Sequence, residues 1–315
     1  MNPTQGDVHV SSALTNISVA YMQDDTDFIA TKVFPLVPVM KQTDKYFVFD
    51  KNDFMRDEMR VKAAGHGGPA KGGFRLSTDS YDCTVKAYGT DIFDQVRANA
   101  DSVLNLDRAA TNFVTTKALL NIEREFVTSY FTTSKWGTDA TPSVLWSAAN
   151  SDPQGDVDTG KKTVKTNTGK MPNTLVLGLE TYLGLRKNAQ IKDQFKYTSD
   201  KSITPDILAR FFDVDRVLVG GASYATNREG ATGAYSLIWG KHALLCYTPS
   251  APSIEAPAAG YIFAWQGFVG SSNGIRIKKY RAPEAEEADT IEAQRAHSMK
   301  LVGSDLGYFF NGAVA

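Results

Sequence analysis

The residues with the sharpest chemical pattern are Gly270-Ser271-Ser272-Asn273-Gly274, followed at a distance by Asp289 and His297. This matches the glycine-flanked serine of a hydrolase nucleophile elbow, with acid and base in the chain order such enzymes use. An elbow needs a strand before the serine and a helix after it, so that the hydroxyl sits on a strained turn. Here the β-type run Ile275-Arg276-Ile277-Lys278-Lys279-Tyr280 follows. Ser, Gly and Asn between two strands read as an ordinary hairpin connection. A serine hydrolase using Ser272 and His297 is therefore a remote alternative, and the sequence argues against an enzyme.

A second glycine-rich stretch, Gly65 to Gly73, contains Lys71. A phosphate-binding loop needs Ser or Thr after the lysine and a helix beyond it, so that backbone amides point at phosphate. Gly72 follows Lys71 and a strand comes next, so the stretch reads as a loop tip. His9, His66, His242 and His297 have no metal-ligand spacing. His242 and Cys246 share a strand face but stand about 13 Å apart along it. Glu284, Glu286, Glu287 and Asp289 lack the alternating ligands and central glycine of a calcium loop and read as a solvated turn. No metal and no cofactor are expected.

The elements that would carry these residues are legible. The 315-residue chain, 42% hydrophobic, can bury a large core and suggests two lobes. Basic and acidic residues balance at 34 and 35, so nothing drives the whole chain onto nucleic acid or an anionic membrane. No membrane span and no signal peptide are expected, and Cys83 and Cys246 alone exclude a disulfide scaffold and favour a cytosolic life. Residues 1–44, with Pro35 and Pro38, read as an extended arm laid on something else or, equally, crossing its own core. Lys45 to Asp50 is a strand, and Tyr81, Cys83, Val85 and Ala87 alternate with polar residues as a half-buried return strand. Between them, Lys51 to Lys62 is dense in charge and followed by five glycines; such a segment cannot build its own core. Asp101 to about Phe131 lacks Gly and Pro, and Leu106, Ala110, Phe113, Val114, Ala118, Ile122, Phe126 and Tyr130 recur at helical spacing, giving a helix of roughly 45 Å.

From Met171 to Tyr247 the order is strand, helix, capped helix, strand, strand. Thr204 is an N-cap, Pro205 the first helical residue, and Asp206 meets the positive end of the helix dipole. Ile207, Leu208, Phe211 and Phe212 form its apolar face. Val217-Leu218-Val219 is a short buried strand ending at Gly220-Gly221. Beyond Gly274, Ile275, Ile277 and Tyr280 face one side of a strand, and Thr290 to Val302 is its partner.

This succession resembles the central domain of tailed-phage major capsid proteins with the Hong Kong 97-like fold. Phe28 to Glu58 is similar to that family's N-terminal arm and extended loop, Ser147 to Val157 (SAANSDPQGDV) to a segment before a helix, and Tyr308 to Val314 (YFFNGAV) to its closing segment. The likeness spans roughly residues 28–314 and rests on the order of five blocks, not on one motif.

The resemblance implies an α+β fold. It has an arm (1–44), an extended two-stranded loop (45–92), a peripheral domain (93–170 and 275–315) with a spine helix at about 101–131, and an axial domain (171–274). It implies a structural protein that self-assembles into the pentamers and hexamers of an icosahedral phage head around double-stranded DNA. An encapsulin-type compartment shell is the alternative. Implied partners are other copies of the chain, scaffold, portal and decoration proteins, and non-specific contact with packaged DNA. The implied location is the virion, and the host cytoplasm during assembly. The loop would reach a neighbouring subunit through Arg56, Asp57, Glu58, Arg60 and Lys62. Some relatives join a loop lysine to a neighbour's asparagine; Lys51, Lys62 and Lys71 are available, but no matching asparagine is identified.

Overall fold

The computed structural model describes residues 23–62, 68–100, 105–195, 203–228, 230–249, 251–252, 257–271, 274–283 and 287–315. Two five-stranded sheets organise it. In the first, β1 (Leu36–Val39) runs parallel to β11 (Gly260–Trp265), which is antiparallel to the long β13 (Ala288–Leu301). Strand β12 (Ile275–Arg281) pairs with residues 289–295 of β13 and β4 (Thr84–Phe93) with residues 288–297, so they occupy opposite edges. The second sheet has the order β5 (Thr138–Ala140), β14 (Gly307–Phe310), β10 (Ala243–Cys246), β6 (Thr174–Gly178), β7 (Arg216–Gly220). Two hairpins stand apart from the sheets: β2 (Thr43–Phe49) with β3 (Leu76–Asp82), and β8 (Ser223–Ala225) with β9 (Tyr235–Leu237).

Helix α4 (Leu106–Tyr130) links the two sheets. Asn105 caps it by accepting from the Arg108 N–H at 2.9 Å. Its 25 residues make it about 37 Å long, shorter than expected because it starts at Leu106. Its first half packs Leu106, Ala110 and Val114 against Ile92, Ile291 and Ala293 of the first sheet. Its second half sends Ile122 and Phe126 into a core with Phe34, Trp239 and Phe309. There Phe126 lies 4.9 Å from the Phe34 ring and 5.4 Å from Trp239. Each such fully buried side chain contributes on the order of 1.5–3 kcal/mol. Phe113, expected on the apolar face, is 43% exposed.

Around the second sheet, α5 (Pro153–Thr168), α6 (Leu179–Lys187), α7 (Ala189–Phe195) and α8 (Pro205–Phe211) enclose Trp146, Leu175, Leu177, Leu208, Phe212 and Phe310. The SAANSDP segment is a helix start: Asp152 accepts from the Gly155 N–H at 3.0 Å and Pro153 takes the first helical position. Gly169 at φ +70° ends that helix. Thr204 caps α8 as expected, accepting from the Ile207 N–H at 3.4 Å. On α8, Ala209 is buried and Ile207 only half-buried. Strand β7 is half-buried because it is the sheet's outermost strand. It ends at Gly220 for a steric reason: a Cβ there would lie 2.2 Å from the Trp239 indole.

One alternative that the sequence leaves open is decided, and two expectations are corrected. Residues 28–39 do not leave the subunit: Phe28, Ile29, Ala30, Val33 and Phe34 are buried in its own core, with α1 (Ala30–Val33) beside α4 and β1 in the first sheet. Residues 1–22 lie outside the described residues. The boundaries at 171 and 274 also shift, because strand pairing recruits β5, α5 and β14 to the second body and β11 to the first. Thirdly, the return strand is two strands. Tyr81 and Cys83 are buried as expected, but Val85 and Ala87 are exposed, and Thr90 and Ile92 of the opposite parity are buried. The chain changes sheets at Cys83, and with it the face that meets the core. Both cysteines are buried and unpaired, and burial pushes each thiol up to about 11.

Candidate inter-subunit surface

The β2–β3 hairpin has seven paired residues on each side, Thr43↔Asp82 to Phe49↔Leu76, a ribbon of about 23 Å. Its base is held to the body. The Tyr46 ring lies 5.4 Å and the Tyr81 ring 4.6 Å from Phe263, and between the strands the Tyr46 hydroxyl donates to Asp79 at 2.6 Å; Lys51, past the far end of β2, also reaches the body by pairing with Asp305. At its far end Asp50 caps α2 (Lys51–Phe54), accepting from the Asn52 N–H at 2.9 Å. Arg75 ties the two sides together through Asp50 at 2.6 Å and Asp53 at 3.2 Å. Hydrogen bonds from Arg75 hold the Asp53 carboxyl below the usual carboxylate range.

Beyond this clamp the chain runs through 55–62 and 68–75 without regular structure, and residues 54–62 and 68–80 are exposed. None of Arg56, Asp57, Glu58, Arg60 and Lys62 forms an ion pair with any described residue. Asp57 accepts from the Met59 N–H at 3.3 Å, and the Glu58 carboxylate lies against Gly72. The five charged side chains, three basic and two acidic, are all exposed on this one segment.

The sequence reading missed an apolar component. Phe49, Phe54 and Phe74 form a triangle with ring centroids 6.0–6.2 Å apart, yet Phe54 and Phe74 are each 65% exposed. Met59 and Val61 are 93% and 101% exposed. Exposed apolar groups concentrated on one segment, rather than scattered singly, are typical of interaction surfaces. The signal was present in the alternation of Met59, Arg60, Val61 and Lys62, but the density of charge obscured it.

The other candidate residues are dispersed. Ser272 and Asn273, His9, His66, Glu284 and Glu286 lie outside the described residues. Gly270, at φ +76°, ends the short α9 (Gln266–Val269), and β12 follows. The order is helix then strand, which reverses the elbow's requirement and also differs from a plain hairpin. Asp289 pairs with Arg97 at 3.0 Å, Arg281 at 3.4 Å and Lys279 at 3.5 Å. His297 lies eight residues along the same extended strand, about 26 Å away, so the two do not meet. Its Nε2 is instead 3.0 Å from Glu125. His242 Nδ1 accepts from the Gly312 N–H at 3.0 Å, and burial pushes its pKa down. Ile277 and Tyr280 of β12 are exposed. Among the described residues, no group of three or more His, Cys, Asp or Glu is placed to hold a metal. No described helix is long and apolar enough to cross a membrane.

One buried acid was not anticipated. Glu123 of α4 is fully buried and accepts three hydrogen bonds: from the Ile29 N–H at 2.9 Å, the Ala30 N–H at 3.0 Å and Trp239 Nε1–H at 2.7 Å. It clasps the start of α1 to the long helix.

No family model matches the chain. It is 26% identical over 319 residues, 96% of each chain, to the major capsid protein of Burkholderia phage BcepMu. Among solved structures it is similar to a phage-related protein from Bordetella bronchiseptica RB50, with TM-score 0.70, 23% identity and 93% and 94% of the two chains covered. It is also similar to the capsid of a native GTA particle, with TM-score 0.61, 14% identity and coverage of 97% and 95%. The chain has the α+β Hong Kong 97-like capsid fold. Within that class, its likeness to the phage major capsid protein runs over nearly the full length of both chains.

Proposed function

We propose that copies of this chain close into an icosahedral shell of pentamers and hexamers around double-stranded DNA. The observation that carries this is the likeness, over nearly the full length of both chains, to a phage major capsid protein. In this reading the second sheet with α5–α8 is the axial domain, clustered about the local five- and six-fold axes. The first sheet and α4 form the peripheral wall. The β2–β3 hairpin is the strap, reaching a neighbour with Arg56, Asp57, Glu58, Arg60 and Lys62 and with the apolar groups Phe54, Met59, Val61 and Phe74. Balanced charge, 34 basic against 35 acidic residues, suits subunits that pack closely without mutual repulsion. DNA meets the inner face non-specifically. Scaffold, portal and decoration proteins are its further partners, and its place is the virion after assembly in the host cytoplasm.

Electron microscopy of the expressed protein tests this. Closed shells are expected. A chain that stays strictly monomeric under every assembly condition overturns it, and shells that enclose an enzyme cargo without DNA favour the encapsulin alternative.

A further inference from the structure

The seat of α4 on β13 is apolar at both ends and ionic in the middle. The odd-numbered residues of β13 turn toward the helix. Ile291 and Ala293 join Leu106, Ala110 and Val114, while Met299 joins Ile122 and Phe126. Between them stand Arg295 and His297, only 3% and 1% exposed. Glu125 of α4 faces them, with its Oε2 3.0 Å from His297 Nε2 and 2.5 Å from Lys86 Nζ of β4. Nδ1 of His297, and Nε and Nη1 of Arg295, have no hydrogen-bond partner among the described residues. Glu123, on the far side of the helix turn, is committed to Ile29, Ala30 and Trp239. Tyr130 donates its hydroxyl to the Met299 carbonyl at 2.7 Å.

One carboxylate therefore faces three cationic or ionisable groups. With a neutral ring, Nε2–H donates to Glu125 and the local charge is Lys86 and Arg295 against Glu125. A proton added at Nδ1 has no acceptor there and brings a further positive charge beside a buried guanidinium. The one available anion is already shared with Lys86.

We propose that His297 makes the fastening of α4 to β13 acid-sensitive, so that protonating its buried ring loosens the middle of the long helix. The electrostatics point the same way: burial, the largest cause, pushes the His297 pKa down, and Arg295 and Lys86 add to this against the opposing pull of Glu125. Burial pushes the Glu125 carboxyl up, but His297 and Lys86 outweigh it and hold it at about 2. Glu125 thus remains ionised throughout. For a histidine with a depressed folded pKa, the stability is present above its ordinary value of about 6.5 and is lost as pH falls below that value.

The test is hydrogen-exchange protection of amides 118–127 in the full unassembled chain between pH 7.5 and 5.5, corrected for intrinsic exchange. Below about pH 6.5, protection should fall up to tenfold per pH unit, the slope for one proton taken up on opening. His297→Gln should abolish that slope. Lys86→Met, at a half-exposed site, frees Glu125 to offset the imidazolium and should shallow the slope even where His297→Gln does not fold. His242→Gln, at a half-buried site against Phe131 just past the end of α4, should leave the slope at 118–127 unchanged. Wild-type protection that is flat with pH overturns the proposal, as does a wild-type slope retained in both His297→Gln and Lys86→Met.

Discussion

Replacing Glu123 by alanine should be among the most damaging single changes in the chain. The carboxylate is fully buried and takes three N–H donors at 2.7–3.0 Å. Alanine removes the acceptor and strands the Ile29 and Ala30 amides and the Trp239 indole N–H in the core. Each unsatisfied buried donor costs about 1–3 kcal/mol. Water entering the space and fraying of the four-residue α1 relieve part of this, and the desolvation cost of the carboxylate is recovered. The net loss should be about 3–5 kcal/mol, the range for breaking a buried charged interaction. Guanidinium unfolding of the unassembled subunit, followed by tryptophan fluorescence, measures it. Glu123→Gln keeps the volume and one acceptor and should lose about half as much. The pH dependence gives a second check. Burial, the largest cause, raises the Glu123 pKa against its three hydrogen bonds. Its contribution is therefore fully present below the unfolded value of about 4.3 and declines as pH rises toward the raised one. Glu123→Gln should remove that decline. A loss under about 1 kcal/mol for Glu123→Ala would refute the claim that this clasp fixes α1 to α4.

The hairpin yields a second expectation: replacing residues 52–78 by a short turn should leave a folded, soluble subunit that assembles poorly or into fragile shells. An unfolded subunit, or shells of unchanged stability, would show that the segment is not a strap. A third concerns Asp107, which Lys279 at 2.9 Å and Arg97 at 3.0 Å hold below the usual carboxylate range. The stability this provides is present above the unfolded pKa of about 3.9 and lost on acidification, so Asp107→Asn should flatten the acid limb of a stability–pH curve. An unaltered limb would mean that the exposed network around β12 is screened to nothing.

Much of this fold could be read from local signals. Thr204-Pro205-Asp206 and Asp152-Pro153 mark helix starts because capping and proline chemistry act within four residues. The apolar rhythm from Leu106 to Tyr130 marks a helix because one face must be buried. The start of α4 at Leu106 and the exposure of Phe113 are not legible in the same way, because periodicity shows that a face exists, not which neighbours cover it. The strand change at Cys83 was hidden likewise. Two strands with opposite buried parity, joined without a turn residue, read as one strand until the sheets they belong to are known.

The candidate surface shows the same division between local and distant causes. That Lys51–Ser80 cannot bury itself was legible from charge and glycine alone. That Phe49, Phe54 and Phe74 cluster was not, because they are separated by up to 25 positions and meet only after β2 and β3 pair in register. Glu123 lies deeper still. A glutamate beside Ile122 in a helix looks like an ordinary solvent-facing residue, and only the return of α1 and the Trp239 indole from 94 and 116 positions away turns it into a buried acceptor. Buried acids of this kind are legible only as misfits, a charge next to an apolar position. The physical sense of such a misfit appears when a buried N-terminus needs an acceptor. Here the first amides of α1 have no preceding turn to satisfy them, and Glu123 supplies the acceptor that holds residues 28–34 inside the subunit.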